Sequence, residues 1–214
     1  MLGNYYKNKK ILITGHTGFK GIWLTNILNF LGAKVYGISL DDLNKKNFNK
    51  LTYGKNINSY YFNILNKTKL NNLFRKIEPD IIFHLAAQSL VKKSYKFAVK
   101  TFETNFNGTL NVLSVSEKLK NLKSLIIVTS DKCYKNINDN KSFVETDPLG
   151  GDDPYSASKA AAEILFNSYL KNFLIKKKMG AASVRAGNVL GGGDWSEDRI
   201  IPDVVRQWSN SKTL

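Results

Sequence analysis

The chain has 214 residues, 43% of them hydrophobic, enough for one sizeable core or a domain plus part of a second. Its single cysteine, Cys133, excludes an internal disulfide and suits a reducing, cytoplasmic setting. No run approaches the ~20 apolar residues of a membrane helix, and the basic start MLGNYYKNKK does not read as a signal peptide, so a soluble protein with no membrane partner is expected. The net charge of +15 comes from lysines scattered through DDLNKKNFNK, NKTKLNN and KNFLIKKKMG rather than from one block with interleaved aromatics. Nucleic acid is therefore not an expected partner, although a basic surface would attract an anionic small molecule.

In chain order, Lys10–Thr14 reads as a buried strand and Phe19–Leu31 as the helix after it. Lys34–Ser39 is a second strand, followed by a polar loop through Asn56 and a short strand near Ser59–Asn63. Thr68–Ile77 is a helix, capped by Asn66 or Thr68. Pro79 precedes the buried strand DIIFHLAA, and a long helix covers roughly Ala98–Leu119. KSLIIVTS and GAASVRAGNV are further strands, flanking a helix over Pro154–Leu170 whose proline suits its first turn. A last helix begins near Ile200.

Strand and helix alternate, and the strands are continuous apolar runs. That predicts an α/β fold, a Rossmann-type doubly wound parallel sheet with helices on both faces. Ligands of such sheets lie beyond the carboxyl ends of the strands, so the residues after Thr14, Ser39, Leu85, Val128 and Val184 are the ones to read for chemistry.

After the first strand comes Gly15-His16-Thr17-Gly18-Phe19-Lys20-Gly21. Gly15 would permit the tight turn, Gly18 would let a pyrophosphate approach the backbone, and Gly21 would let the helix pack closely on the strand. Asp41 lies 20 residues beyond Gly21, where a carboxylate meets an adenosine ribose and disfavours a 2′-phosphate; Asp42 competes for the role. In DPYSASKAAAE, Tyr155 and Lys159 stand four apart on one helix face. A neighbouring ammonium and a bound nicotinamide would favour the phenolate, making Tyr155 a base. The strand IIVTS ends in Thr129, Ser130, Asp131 and Lys132 at the sheet's carboxyl edge; Ser130 can bond a substrate hydroxyl beside Tyr155. Cys133 has no activating partner in the sequence and reads as a small, partly buried residue.

The glycine turn, HLAAQSLVKKSY, TSDKCY, DPYSASKAAAE and RAGNVLGGGDWSEDRIIPD together resemble the extended short-chain dehydrogenase/reductases of the NAD-dependent epimerase/dehydratase family, over about Lys9 to Arg206. Within it the nearest resemblance is to the 4,6-dehydratases that act on CDP-glucose; those of dTDP-glucose would carry Asp-Glu where this chain has Asp131-Lys132. The resemblance implies NAD as cofactor, no metal, the nucleotide sugar CDP-glucose as substrate and a homodimer. It implies cofactor contacts from Gly15, Thr17, Gly18, Phe19, Gly21, Asp41, Asn63 (where the family carries Asp), Ile64, Leu85, Ala86, Ala87, Thr129, Tyr155 and Lys159. It places Gln88, Ser130, Asn188 and Arg199 on the substrate side, makes Ser130, Asp131, Lys132, Tyr155 and Lys159 catalytic, and gives the GGGDW loop to the sugar-nucleotide pocket. His84 is expected to be structural. The family's chains continue well past residue 214. Residues 1–186 are thus expected to be the NAD-binding domain and 187–214 the start of an incomplete substrate domain, leaving this chain weakly active by itself. Another nucleotide-sugar dehydratase or epimerase, or an NAD-binding module without turnover, stays open at this point.

Overall fold

The computed structural model describes residues 4–40, 51, 57–136 and 142–210. Strands β1 (Lys10–Thr14), β2 (Lys34–Ser39), β3 (Ile57–Tyr61), β4 (Ile81–His84), β5 (Ser124–Val128) and β6 (Gly180–Val184) form one sheet. Every pairing is parallel and the order is β3-β2-β1-β4-β5-β6. The chain winds outward from β1 through β2 to β3, then returns to β4 and winds the other way. The connections therefore part between β1 and β4, which opens a crevice at their carboxyl ends.

Side chains alternate across the sheet. Leu12, Ile38, Ile82, Leu125 and Ile127 face one layer, where they meet Leu70 and Phe74 of α2 (Lys67–Ile77), Val112 and Leu113 of α5 (Gly108–Ser116), and Phe166 of α6 (Pro154–Tyr169). Ile11, Ile13, Val35 and Ile81 face the other and pack on Leu28 of α1 (Phe19–Phe30). Each such fully buried side chain is worth about 1.5–3 kcal/mol relative to exposure. The doubly wound sheet expected from the apolar runs is the one that forms.

Several boundaries differ from expectation. β3 begins two residues early, at Ile57, because its register is set by pairing with β2, Val35 opposite Ile57 through Ser39 opposite Tyr61. Asn66, not Thr68, caps α2 by accepting the Lys69 N–H at 3.0 Å. The long helix is several pieces. An unexpected short helix, α3 (Val91–Lys96), precedes it, and α4 (Ala98–Phe102) passes into a wide π-helical turn, Glu103–Asn107, before α5. That turn brings Asn105 inward, where its amide donates to the Gln88 carbonyl (3.0 Å) and the Ser158 hydroxyl (2.8 Å) and its carbonyl accepts the Gln88 N–H (2.8 Å). The extra residue of a π-turn thus secures the loop after β4 to α6. α6 starts where Asp153 accepts the N–H groups of Tyr155 (2.9 Å) and Ser156 (3.0 Å), with Pro154 in the first turn. α7 (Ile200–Ser209) closes the described chain.

Candidate active site

The turn between β1 and α1 is built from backbone. Gly15 has φ +77°, and a Cβ there would lie 2.8 Å from the Ala86 nitrogen. At Gly21 a Cβ would sit 2.1 Å from the Gly15 carbonyl oxygen and 2.7 Å from the His16 Cα. The close approach that demands this glycine is therefore of helix onto turn, at the end of the strand. Gly18 caps α1 without any side chain bonding the first helical N–H groups. A Cβ on it would meet only the Gly15 oxygen, at 3.3 Å. Open N–H donors at the positive end of a helix, behind a bare glycine backbone, fit the diphosphate of a dinucleotide.

That turn forms one wall of a cleft of about 880 Å³. Thr17, Phe19, Asn63, Ile64, Leu85, Ala86, Ala87, Thr129, Ser130, Asp131, Lys132, Tyr155, Lys159, Asn188 and Arg199 all line it with the three glycines, so loops separated by more than a hundred residues converge on one volume. Asn63 already accepts the Leu65 N–H at 2.9 Å. Gln88 is not among the lining residues. Its amide nitrogen donates to the Leu90 carbonyl (3.1 Å) and the Thr101 hydroxyl (3.0 Å), and its oxygen accepts the Leu90 N–H (2.7 Å), because a two-residue turn folds the side chain back on its own loop. Asp41 and Asp42 fall outside the described residues; Ser39 and Leu40, just before them, line the cleft.

Tyr155 and Lys159 are both buried on one side of α6. The Lys159 ammonium donates to the Val128 carbonyl at 3.3 Å. Burial first, then the nearby Lys20, lower it to a pKa of about 8, against the opposing pull of Glu163. For Tyr155, burial dominates and raises the hydroxyl above its usual value. A hydrogen bond with Ser130 and the charge of Arg199 pull it down, while Asp131 and Asp153 push it up. Lys159, turned to the strand carbonyl, does not supply the lowering expected of it in the protein alone, and Ser130 and Arg199 only partly offset the effect of burial. Beyond β5 the chain makes a tight turn, Asp131–Cys133. The Ser130 hydroxyl donates to Asp131 (3.0 Å) and accepts the Lys132 N–H (3.2 Å), which fixes the three residues relative to one another. Lys132 lines the cleft and is exposed there. Cys133 is fully buried, and burial raises its thiol to about 11, which suits packing and not nucleophilic chemistry.

Three contributors escaped the sequence reading. His16 is wholly buried, with ring nitrogens 2.9 Å from the Ser59 hydroxyl and 3.0 Å from that of Ser39, which in turn accepts the Thr17 N–H at 3.2 Å. Glu163, fully buried one turn beyond Lys159, accepts from Thr129 (2.5 Å), Ser183 (2.9 Å) and Arg185 (3.0 Å), joining α6 to the ends of β5 and β6. Lys20, inside the glycine motif, lines the cleft. His84 is buried between the Thr14 (2.6 Å) and Thr109 (3.0 Å) hydroxyls and lowered to about 3 by burial, so it is a neutral structural ring.

The model of the family described as GDP-mannose 4,6 dehydratase matches residues 12–209. The chain belongs to that family. Among relatives of this GDP-mannose 4,6 dehydratase family member, the CDP-glucose 4,6-dehydratase of Salmonella typhimurium is 40% identical over 99% of this chain and 60% of its own length. The chain thus spans about three fifths of that relative. A solved UDP-glucose 4-epimerase from Thermus thermophilus, in complex with NAD, superposes with TM-score 0.77 at 26% identity, covering 88% of this chain and 58% of the epimerase. A Methanothermobacter thermautotrophicus epimerase shares the fold at TM-score 0.88 and 24% identity, over 99% of this chain and 62% of its own. None of the described helices is long and apolar enough to cross a membrane.

Proposed function

We propose that this chain carries the catalytic portion of an NAD-dependent nucleotide-sugar 4,6-dehydratase that converts CDP-glucose to CDP-4-keto-6-deoxyglucose and water. The observation that carries the reading is the meeting, in one cleft, of a bare glycine turn, the buried Tyr155/Lys159 pair and the adjacent Asp131 and Lys132 on the turn after β5. The last pair is what elimination needs beyond simple oxidation, and a CDP-glucose 4,6-dehydratase is 40% identical over nearly the whole chain. Residues 1–186 would hold NAD, with the adenosine ribose at Asp41, and residues 187–214 would open the substrate side.

NAD supplies the redox chemistry when bound, accepting hydride from C4 and returning it at C6. The chain supplies the protons and the positions. Ser130 hydrogen-bonds the C4 hydroxyl and Tyr155 removes its proton. Lys159 holds the nicotinamide ribose. The C4 ketone acidifies the C5 hydrogen, which Lys132 takes in its neutral form once the bound sugar covers it and excludes water. Asp131, protonated, gives its proton to the departing C6 hydroxyl, so water leaves, and the Lys132 ammonium, exchanged with solvent, returns a proton to C5 as C6 is reduced. The sheet's contribution is alignment.

Lys132→Ala tests this directly. The variant should bind NAD and still oxidise C4 to some degree, but lose C5 exchange with deuterated solvent and 4-keto-6-deoxy product by ~10²–10⁴-fold. Near-normal exchange and turnover would mean another group is the base.

The same reading proposes a cytosolic homodimer. Val99 and Phe102 on α4 and Ile164 on the adjacent α6 are exposed apolar side chains that a second copy would cover. Light scattering at micromolar concentration should give twice the chain mass; a monomer mass would contradict pairing.

A further inference from the structure

Lys20 stands in the first turn of α1, two residues beyond Gly18, and lines the cleft half-buried. Among the described residues no hydrogen bond or ion pair engages its ammonium. Its charged neighbours are themselves cations: Arg199 acts on it, and it acts on Lys159. The carboxylates on the opposite wall are committed elsewhere, Asp198 to Lys92 at 2.7 Å and Asp194 to Arg199 at 3.4 Å. The Nε of Arg199 is the atom that faces Asp194 in that ion pair, yet it is buried there without a hydrogen bond. A half-buried ammonium facing a second cation with an unmet donor is an unfavourable arrangement in the free protein. A polyanion placed between them relieves it.

We propose that Lys20 and Arg199 form a diphosphate clamp, separate from the dinucleotide turn, that takes the diphosphate of the incoming sugar nucleotide. This deepens the dehydratase reading and rests on it. The dinucleotide's own diphosphate is served by backbone N–H groups at the start of α1. The clamp instead joins the two walls, Lys20 from the first helix and Arg199 from the segment after β6. A diphosphate with both cations on it holds the attached hexose at a fixed distance from Tyr155, on whose hydroxyl Arg199 also acts. Burial and the charge of Arg199 already lower the proton affinity of Lys20, as expected for a cation awaiting an anion.

The test is calorimetric titration of the chain and of Lys20→Ala and Lys20→Arg with CDP-glucose, inorganic pyrophosphate and NAD, with melting temperatures to show that each variant folds. Loss of one charge-assisted contact should weaken CDP-glucose and pyrophosphate about 10- to 100-fold in Lys20→Ala, with NAD changed by less than about 2-fold. Lys20→Arg should recover most of that loss. Unchanged CDP-glucose affinity in folded Lys20→Ala overturns the clamp and leaves the dehydratase reading standing. Weakened NAD with unchanged CDP-glucose also overturns it, assigning Lys20 to the dinucleotide. Lys20-dependent pyrophosphate binding without affinity for CDP-glucose supports the cation pair as a diphosphate site and overturns CDP-glucose as the ligand of this chain. Absence of binding to both anions overturns both.

Discussion

The two walls of the cleft are made differently. The turn after β1 is close-packed everywhere but at Gly18: Gly15 and Gly21 meet backbone atoms at distances no side chain tolerates, and a Cβ on Gly37 would lie 2.2 Å from the His16 ring. The opposite wall, residues 186–201, is loosely seated. Gly192 has nothing within 4 Å of where a Cβ would be, and Leu190, Trp195, Ile200 and Ile201 are exposed. It is held by a few long-range bonds. The Trp23 indole N–H donates to the Gly192 carbonyl (3.0 Å), Lys92 pairs with Asp198, and Arg206 donates to the carbonyls of Trp195 and Ser196 (each 3.0 Å). A wall of close-packed backbone presents one geometry, whereas a wall of exposed residues tied by side chains opens at low cost. The first suits a ligand held in one geometry, and the second a ligand that enters and leaves.

Breaking the joint between α6 and the ends of β5 and β6 should have the largest effect. Glu163→Ala leaves Arg185 without its buried partner and frees Thr129 and Ser183. Removing one member of a buried pair costs ~3–5 kcal/mol, so the melting temperature should fall on the order of 10 °C, with Glu163→Gln milder. A loss near zero by thermal melt would show that the two strand ends are held by something else.

Acid should act on the rigid wall through His16, in addition to what the buried His84 contributes. Burial holds the His16 imidazole at about 4 against an ordinary 6.5, so the unfolded chain takes up a proton first as pH falls. The neutral ring's contribution is complete above about pH 6.5 and is lost progressively toward pH 4, by roughly 3 kcal/mol. Melting temperatures across that window should drop more steeply in the natural chain than in His16→Gln. Equal slopes would mean the ring is not held neutral.

The smallest effect sharpens the contrast. Trp23→Phe removes one exposed indole bond between the walls and should cost about 1 kcal/mol or less. The melting temperature should barely move, while protease cutting within residues 187–197 should become faster. Unchanged cutting would remove Trp23 from the seat of this loop.

The contrast also explains what the sequence could convey. Buried parallel strands are unbroken apolar runs, so KILIT, DIIFHLAA and SLIIV announce themselves, and a turn made of glycines leaves its signature in glycines. Tyr155 and Lys159 are legible because one helix sets their spacing. What stayed hidden depends on partners far along the chain. Glu163 is only a helix carboxylate until Arg185 and Thr129 arrive, 22 and 34 residues away. His16 is only a turn residue until Ser39 and Ser59 reach it. VKKSYK has neither a capping side chain nor an apolar stripe, so α3 gave no signal, and the π-turn at Asn105 is an insertion that helical periodicity does not encode. Gln88 illustrates the converse: a motif position gives the backbone place, but the local turn decides where the side chain goes.

The central claim, elimination across C5 and C6 through transient oxidation at C4, is tested most directly with CDP-glucose carrying deuterium at C4. Because the chain by itself is expected to turn over slowly, it should be incubated with NAD for long times at a concentration comparable to the substrate, and the sugar read by NMR. The account predicts a 4-keto-6-deoxy product with the C4 deuterium relocated to C6 and a solvent hydrogen at C5. Deuterium recovered at C4 of an intact or epimerised hexose, with its C6 hydroxyl retained, would contradict it.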